Sequence, residues 1–255
     1  ERVGSSPCAN SKGETLALMA ESIAVDTKGS DDAIQIYQGN HSTLVLVIAA
    51  PGRGKSTSIR TLPPEETHII NVAGKDLPFP GGVKYKEGEN LSTLVDGAQI
   101  REKLRSLSKD ESINYIVIDD LHYSMANEFM SKVLVKGYDK FSVMARNVWD
   151  VMTQASQCRP GLKVFILTHE EETTTQRKMK TLGKLLDEKI TPEGLAAIVL
   201  WGEVAVKENG PNEHYFATQM DMFPDKIPND LKMVADRIDE YYSGIELSKS
   251  KALPR

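Results

Sequence analysis

The run Leu44-Val45-Leu46-Val47-Ile48-Ala49 passes without a break into Ala50-Pro51-Gly52-Arg53-Gly54-Lys55-Ser56. An unbroken aliphatic and β-branched run reads as a strand covered on both faces, because a strand with one wet face alternates. Glycines directly behind it let the backbone take conformations closed to other residues. Few architectures accommodate such a strand; foremost among them is a parallel sheet with helices on both faces.

The remaining pattern agrees. Ser56 to Leu62 reads as the start of a helix, stopped by Pro63-Pro64. His68 to Val72, Asn114 to Asp120 and Lys163 to His169 read as further buried strands. Leu91 to Leu107 and Phe141 to Gln157 carry helical periodicity, the second closed by Arg159-Pro160-Gly161. Ala196 to Trp201 and His214 to Thr218 flank the turn Glu208-Asn209-Gly210-Pro211, which predicts a hairpin added to the sheet. Leu231 to Tyr242 is a last helix. The expectation is an α/β fold: a mostly parallel central sheet flanked by helices, with an added C-terminal β-hairpin.

Three segments follow. Residues 1–41 form an N-terminal extension, with Gly13 to Val25 loosely amphipathic, and read equally as an interaction arm or a plain extension. Residues 42–243 form the main domain, and 244–255 a flexible tail.

Composition narrows the setting. Net charge is -5, so the protein as a whole is not a polycation, although a local basic stripe is what nucleic-acid binding requires. No apolar run approaches the roughly 20 residues of a membrane helix, and no secretory leader is evident. Cys8 and Cys158 are far apart; two free thiols suit a reducing cytoplasm.

The loop carries the clearest chemistry. Backbone N–H groups around Pro51, Gly52, Arg53 and Gly54 can wrap a polyphosphate, Lys55 can meet its outer phosphates, and Ser56 can hold Mg²⁺, with Thr57 beside it. A helix opening there would favour anions. One departure is Ala49, which stands where such loops usually place their first glycine. Asp119 ends a strand where a carboxylate can hold the Mg²⁺ shell, and Asp120 is a candidate to polarise the attacking water. Glu128 and Asp76 compete for that role, since adjacent strand residues point to opposite faces. Thr168 and His169 end another strand, where either can sense a terminal phosphate. Trp149 and Trp201 sit in apolar surroundings and read as core.

The basic segment Gln176-Arg177-Lys178-Met179-Lys180-Thr181-Leu182-Gly183-Lys184 admits three readings. It is a solvated face, a source of cationic fingers (Lys178, Lys180) acting on a neighbour's nucleotide, or a track for a nucleic-acid backbone.

With these motifs placed, about residues 42 to 220 resemble phage-encoded RecA-like P-loop ATPases, the short single-domain recombination ATPases that work with single-strand binding protein. The resemblance rests on Gly54-Lys55-Ser56, Ile69-Ile70-Asn71-Val72-Ala73-Gly74-Lys75-Asp76-Leu77-Pro78-Phe79, Ile118-Asp119-Asp120 and Gly183-Lys184-Leu185-Leu186-Asp187-Glu188-Lys189-Ile190. It implies a RecA-like core, ATP with Mg²⁺, a homo-oligomeric filament or ring, single-stranded DNA as partner, and the cytoplasm of a bacterial host. RecA itself places a catalytic glutamate after the strand where this chain has Asn71-Val72-Ala73-Gly74-Lys75. A helicase loader, a DNA-packaging accessory ATPase and a non-catalytic nucleotide switch remain as alternatives.

Overall fold

A computed structural model describes residues 40–134, 136–137, 139–172, 177–183, 185–186, 190–218, 223 and 226–243. The N-terminal extension, the helix expected within Gly13 to Val25, Cys8 and the 244–255 tail lie outside the described residues.

The described strands are β1 (Thr43–Ala49), β2 (Thr67–Asn71), β3 (Leu91–Thr93), β4 (Tyr115–Asp119), β5 (Lys163–Glu172), β6 (Arg177–Met179), β7 (Ile198–Ala205), β8 (Glu213–Ala217) and β9 (Ile227–Pro228). They form one sheet in the order β3-β2-β4-β5-β1-β7-β8-β9, with β6 paired to β5. The five strands from β2 to β7 in that order, and β3 at the edge, run parallel; β8, β9 and β6 are added antiparallel. This is the expected α/β sheet, and the predicted hairpin is β7–β8.

Alternation along the central strands divides the core into two layers. Leu44, Leu46, Ile48, Ile116, Ile118, Val164 and Ile166 face helices α1 (Gly97–Leu107) and α3 (Asp139–Ser156), with α2 (His122–Ser131) beside them. Val45, Val47, Val117, Phe165 and Leu167 face the other layer, closed by Ile59 and by Leu231, Val234, Ala235 and Ile238 of α4 (Leu231–Tyr242). Sequence alone read these strands as doubly covered, and they are. Among the described residues no helix is long and apolar enough to cross a membrane.

Two expected helices differ. The apolar pattern from Leu91 to Leu107 is not one helix: Leu91–Thr93 is the edge strand β3, and α1 starts at Gly97, where the Asp96 side chain accepts from the Ala98 and Gln99 amides. Leu91 packs on the second core layer and Leu94 on the first, so the two never shared a helical stripe. The segment behind the glycine loop is a 3₁₀ helix of 6 residues, Ser56–Thr61. Leu62 precedes Pro63 and is therefore held extended, which leaves no length for an α-helix. A helix that short contributes little macrodipole.

Candidate functional site

The carboxyl ends of β1, β5 and β4 lie side by side, with Ala49 in register with His169 and Asn71 of β2 with Asp119. In open α/β sheets this end is where ligands sit. A cleft of about 790 Å³ opens there, within the range of small-molecule sites. Its floor is the glycine loop with Lys55 and Ser56; Lys75, Asp120, Tyr123 and His169 line one wall, and His214, Asn229 and Asp230 another.

Gly52 and Gly54 have φ of +78° and +86°, a backbone that side-chain-bearing residues rarely adopt, and these turns bring the loop back under the cleft. A Cβ on Gly202 of β7 would come within 2.6 Å of the Ala49 Cβ. The alanine at the start of the loop is thus accommodated by a glycine on the next strand, which accounts for the departure seen in the sequence. Arg53 leaves the loop to pair with Glu203, also on β7.

Lys55 is 6% exposed, and its Nζ donates to the carbonyls of Ala49 (2.8 Å) and Ala50 (3.2 Å). Burial lowers its pKa, with Asp120 and Asp119 acting against that. The Ser56 hydroxyl donates to Asp119 Oδ1 at 2.9 Å, joining residues 63 apart in sequence. Burial and then the neighbouring Asp120 push the Asp119 carboxyl up to about 6. A serine hydroxyl and a carboxylate form a hard oxygen pair that would suit a divalent cation such as Mg²⁺.

Asp120 is the only described non-glycine residue with positive φ (+63°). Strand alternation would send it to the face opposite Asp119; the left-handed turn instead brings it into the same cleft. Its buried carboxylate is ion-paired with Lys75, and its other oxygen lies 3.4 Å from His169 Nε2. Burial, then the charge on Lys55, lower the His169 pKa to about 4, so the ring is neutral at physiological pH. Tyr123 and His122 pack edge-on against His169, with centroids 5.6 and 5.7 Å away.

Of the residues read from sequence, Pro51, Gly52, Gly54, Lys55, Ser56, Thr57, Asp120 and His169 line the cleft, and Asp119 touches it through Ser56. Thr168 does not: it is fully buried, in register with Ile48. The two competing acids stand elsewhere. Asp76 is exposed and outside the cleft lining, while Glu128 on α2 binds Lys132 and Asn147.

Within the basic segment Arg177–Met179 forms β6, which runs against Glu170, Glu171 and Glu172, with Glu171 opposite Lys178; Gln176 and Lys184 lie outside the described residues. Arg177 pairs with Glu170 and Glu203 and covers the Trp201 ring at 4.9 Å. The Lys180 amide donates to the His169 carbonyl at 2.8 Å. Neither Lys178 nor Lys180 lines the cleft. Trp149 and Trp201 are only partly buried, at the margin of the core.

The sequence pattern marked β8 as a hairpin strand but carried no signal that His214 or Asn229 walls the cleft. Asn229 Nδ2 donates to the Gly54 carbonyl at 3.0 Å across 175 residues. That acceptor fixes the amide orientation and leaves Asn229 Oδ1, like His214 Nδ1, without a hydrogen-bond partner among the described residues. Only Asp230, which caps α4 through the Met233 amide, was foreseeable as a helix start.

Comparison with protein-family models gives no match, and comparison with curated proteins gives none either.

Proposed function

We propose that this chain is an Mg²⁺-dependent ATPase of the RecA-like P-loop group that its sequence resembles. The observation that carries the reading is the Ser56–Asp119 hydrogen bond at the foot of a cleft that also holds Lys55. It joins the two halves of the proposed phosphate-and-metal site, one behind β1 and one at the end of β4, with only β5 between those strands. Lys55 binds the outer phosphates, and Ser56 with Asp119 holds Mg²⁺, which when bound draws charge from the phosphate oxygens. Asp120 accepts a proton from the attacking water, and His169 lies beside that carboxylate. Asn229 Oδ1 and His214 Nδ1 offer unpaired polar atoms to the nucleoside.

Following the resemblance, the partner is single-stranded DNA and the working form a homo-oligomer, acting in phage recombination or annealing with single-strand binding protein. ATP hydrolysis measured without DNA, with single strands and with duplex tests this, using Lys55→Ala as control. Stimulation by single strands, lost in the control, is expected; hydrolysis indifferent to DNA sinks the recombination assignment. A second reading, a nucleotide-dependent switch that barely hydrolyses, is favoured by the Lys75 ion pair on Asp120, which occupies the candidate base. It predicts tight binding with negligible turnover under all three conditions.

A further inference from the structure

Charge that develops on a transferred phosphate is stabilised by cations, and this cleft contains a lysine, Lys75, whose role the mechanism above leaves open. Lys75 sits on the turn after β2, where the resemblance leads one to expect a catalytic glutamate. That turn is firmly mounted. Asn71 Nδ2 donates to the Lys75 carbonyl at 2.6 Å, Asn71 Oδ1 accepts from the Gly74 amide at 2.9 Å, and the Val72 amide donates to the Asp119 carbonyl at 3.1 Å. Backbone position is therefore fixed relative to the strand that carries both aspartates.

The side chain differs from its mount. It is 56% exposed, lines the cleft with Lys55 and Ser56, and holds the Asp120 carboxylate, itself 2% exposed. The Tyr123 ring lies 5.9 Å from Nζ, a polarisable surface along which an ammonium can shift. The other Asp120 oxygen and His169 Nε2 lie 3.4 Å apart, each without a hydrogen-bond partner among the described residues.

We infer that Lys75 is a cis-acting ligand of the terminal phosphate of a nucleoside triphosphate, exchanging Asp120 for that phosphate when the triphosphate binds. This rests on the ATPase reading above. A terminal phosphate carries more charge than a carboxylate and offers three oxygens, so it competes for the ammonium once within reach. The exchange has a second effect: it uncovers Asp120 only when a triphosphate is present. In hydrolysis the water oxygen then bonds to the terminal phosphorus, and the bond from that phosphorus to the bridging oxygen breaks. The electron pair leaves with the nucleoside diphosphate. The water's proton passes to Asp120 and later to solvent, and Lys75 remains an ammonium throughout. The cationic finger sought on Lys178 or Lys180 of a neighbouring subunit is, on this account, supplied within the chain.

Equilibrium titrations with ADP and with a non-hydrolysable ATP analogue, both with Mg²⁺, test the assignment on the full chain. They compare wild type, Lys75→Ala, Lys75→Met and Lys55→Ala. The expected result is that both Lys75 variants weaken the triphosphate analogue at least ~10-fold, the scale of one charge-assisted contact, while ADP affinity stays within about twofold. ADP binding serves as the control for an intact loop, and the methionine variant preserves the stem. Equal weakening of both nucleotides, or no change in either, overturns the role of Lys75 while leaving the ATPase reading standing. Wild type binding neither nucleotide, or Lys55→Ala binding like wild type, overturns both.

Discussion

Asp119→Asn is expected to make the protein more stable and less active at once. The substitution keeps the oxygen that accepts from Ser56 and removes the charge. Burial first, and repulsion from Asp120 second, set the folded carboxyl at about 6 against 3.8 for a free one. At ~1.4 kcal/mol per pH unit, that gap places the cost of holding the charged form at about 3 kcal/mol. Below about pH 4 the carboxyl is neutral in folded and unfolded chains alike, and the cost is absent. Between about pH 4 and pH 6 the folded chain keeps a proton that the unfolded chain has lost, so stability falls as pH rises. Above about pH 6 the full cost is present. Urea unfolding near pH 7.5 should therefore show Asp119→Asn more stable than wild type by ~1–3 kcal/mol, the lower bound allowing for a new amide N–H without a partner. The difference should shrink towards zero near pH 4. Hydrolysis should fall by at least ~10²-fold, the pattern of a site held against the stability of its own fold. A variant no more stable than wild type at pH 7.5, or a difference that ignores pH, refutes the reasoning.

Four further outcomes follow from the same geometry. Gly202→Ala should destabilise by ~1–3 kcal/mol through overpacking on Ala49, and Ala49→Gly in the same chain should restore most of the loss in a thermal melt. Gly54→Ala should cost more than Gly52→Ala: both bear the positive-φ strain of ~1–2 kcal/mol, but only at Gly54 does the new Cβ displace Asn229 from its hydrogen bond, worth ~1 kcal/mol more by denaturant unfolding. The pH profile of kcat/KM should rise through about 6 as Asp119 ionises, and higher Mg²⁺ should move that limb to lower pH, because a cation favours the carboxylate; a limb indifferent to Mg²⁺ would assign it elsewhere. Lys178→Ala and Lys180→Ala should change hydrolysis in the assembled state by less than about threefold, because the inferred role of Lys75 supplies the cation within the chain.

The sheet was legible because its strands are doubly covered and say so: Leu44 to Ala49, Tyr115 to Asp119 and Lys163 to His169 are apolar runs that end in polar or small residues. The turn behind β1 was legible because Gly52 and Gly54 take backbone conformations that other residues rarely adopt. What lay beyond reach was long-range. Nothing local marks Asn229 as a partner of Gly54, or Gly202 as the reason Ala49 is tolerated. The strand alternation rule argued against Asp120, and it was a single left-handed residue, outside any periodicity, that brought this carboxylate into the cleft. Lys75 was quoted for its resemblance, yet its meeting with Asp120 needs the parallel register of β2 and β4. The 3₁₀ turn after the loop was in principle readable, since Pro63 limits both the length of that helix and the conformation of Leu62.

The central claim is that the cleft above Lys55 and Ser56 binds nucleotide phosphates with Mg²⁺. Titration of the wild-type chain with a non-hydrolysable ATP analogue, with and without Mg²⁺ and alongside Lys55→Ala, tests it most directly. Saturable binding that strengthens with Mg²⁺ and weakens at least ~10-fold in the variant is the predicted result. Binding that ignores both the metal and Lys55, or no binding at all, would contradict it.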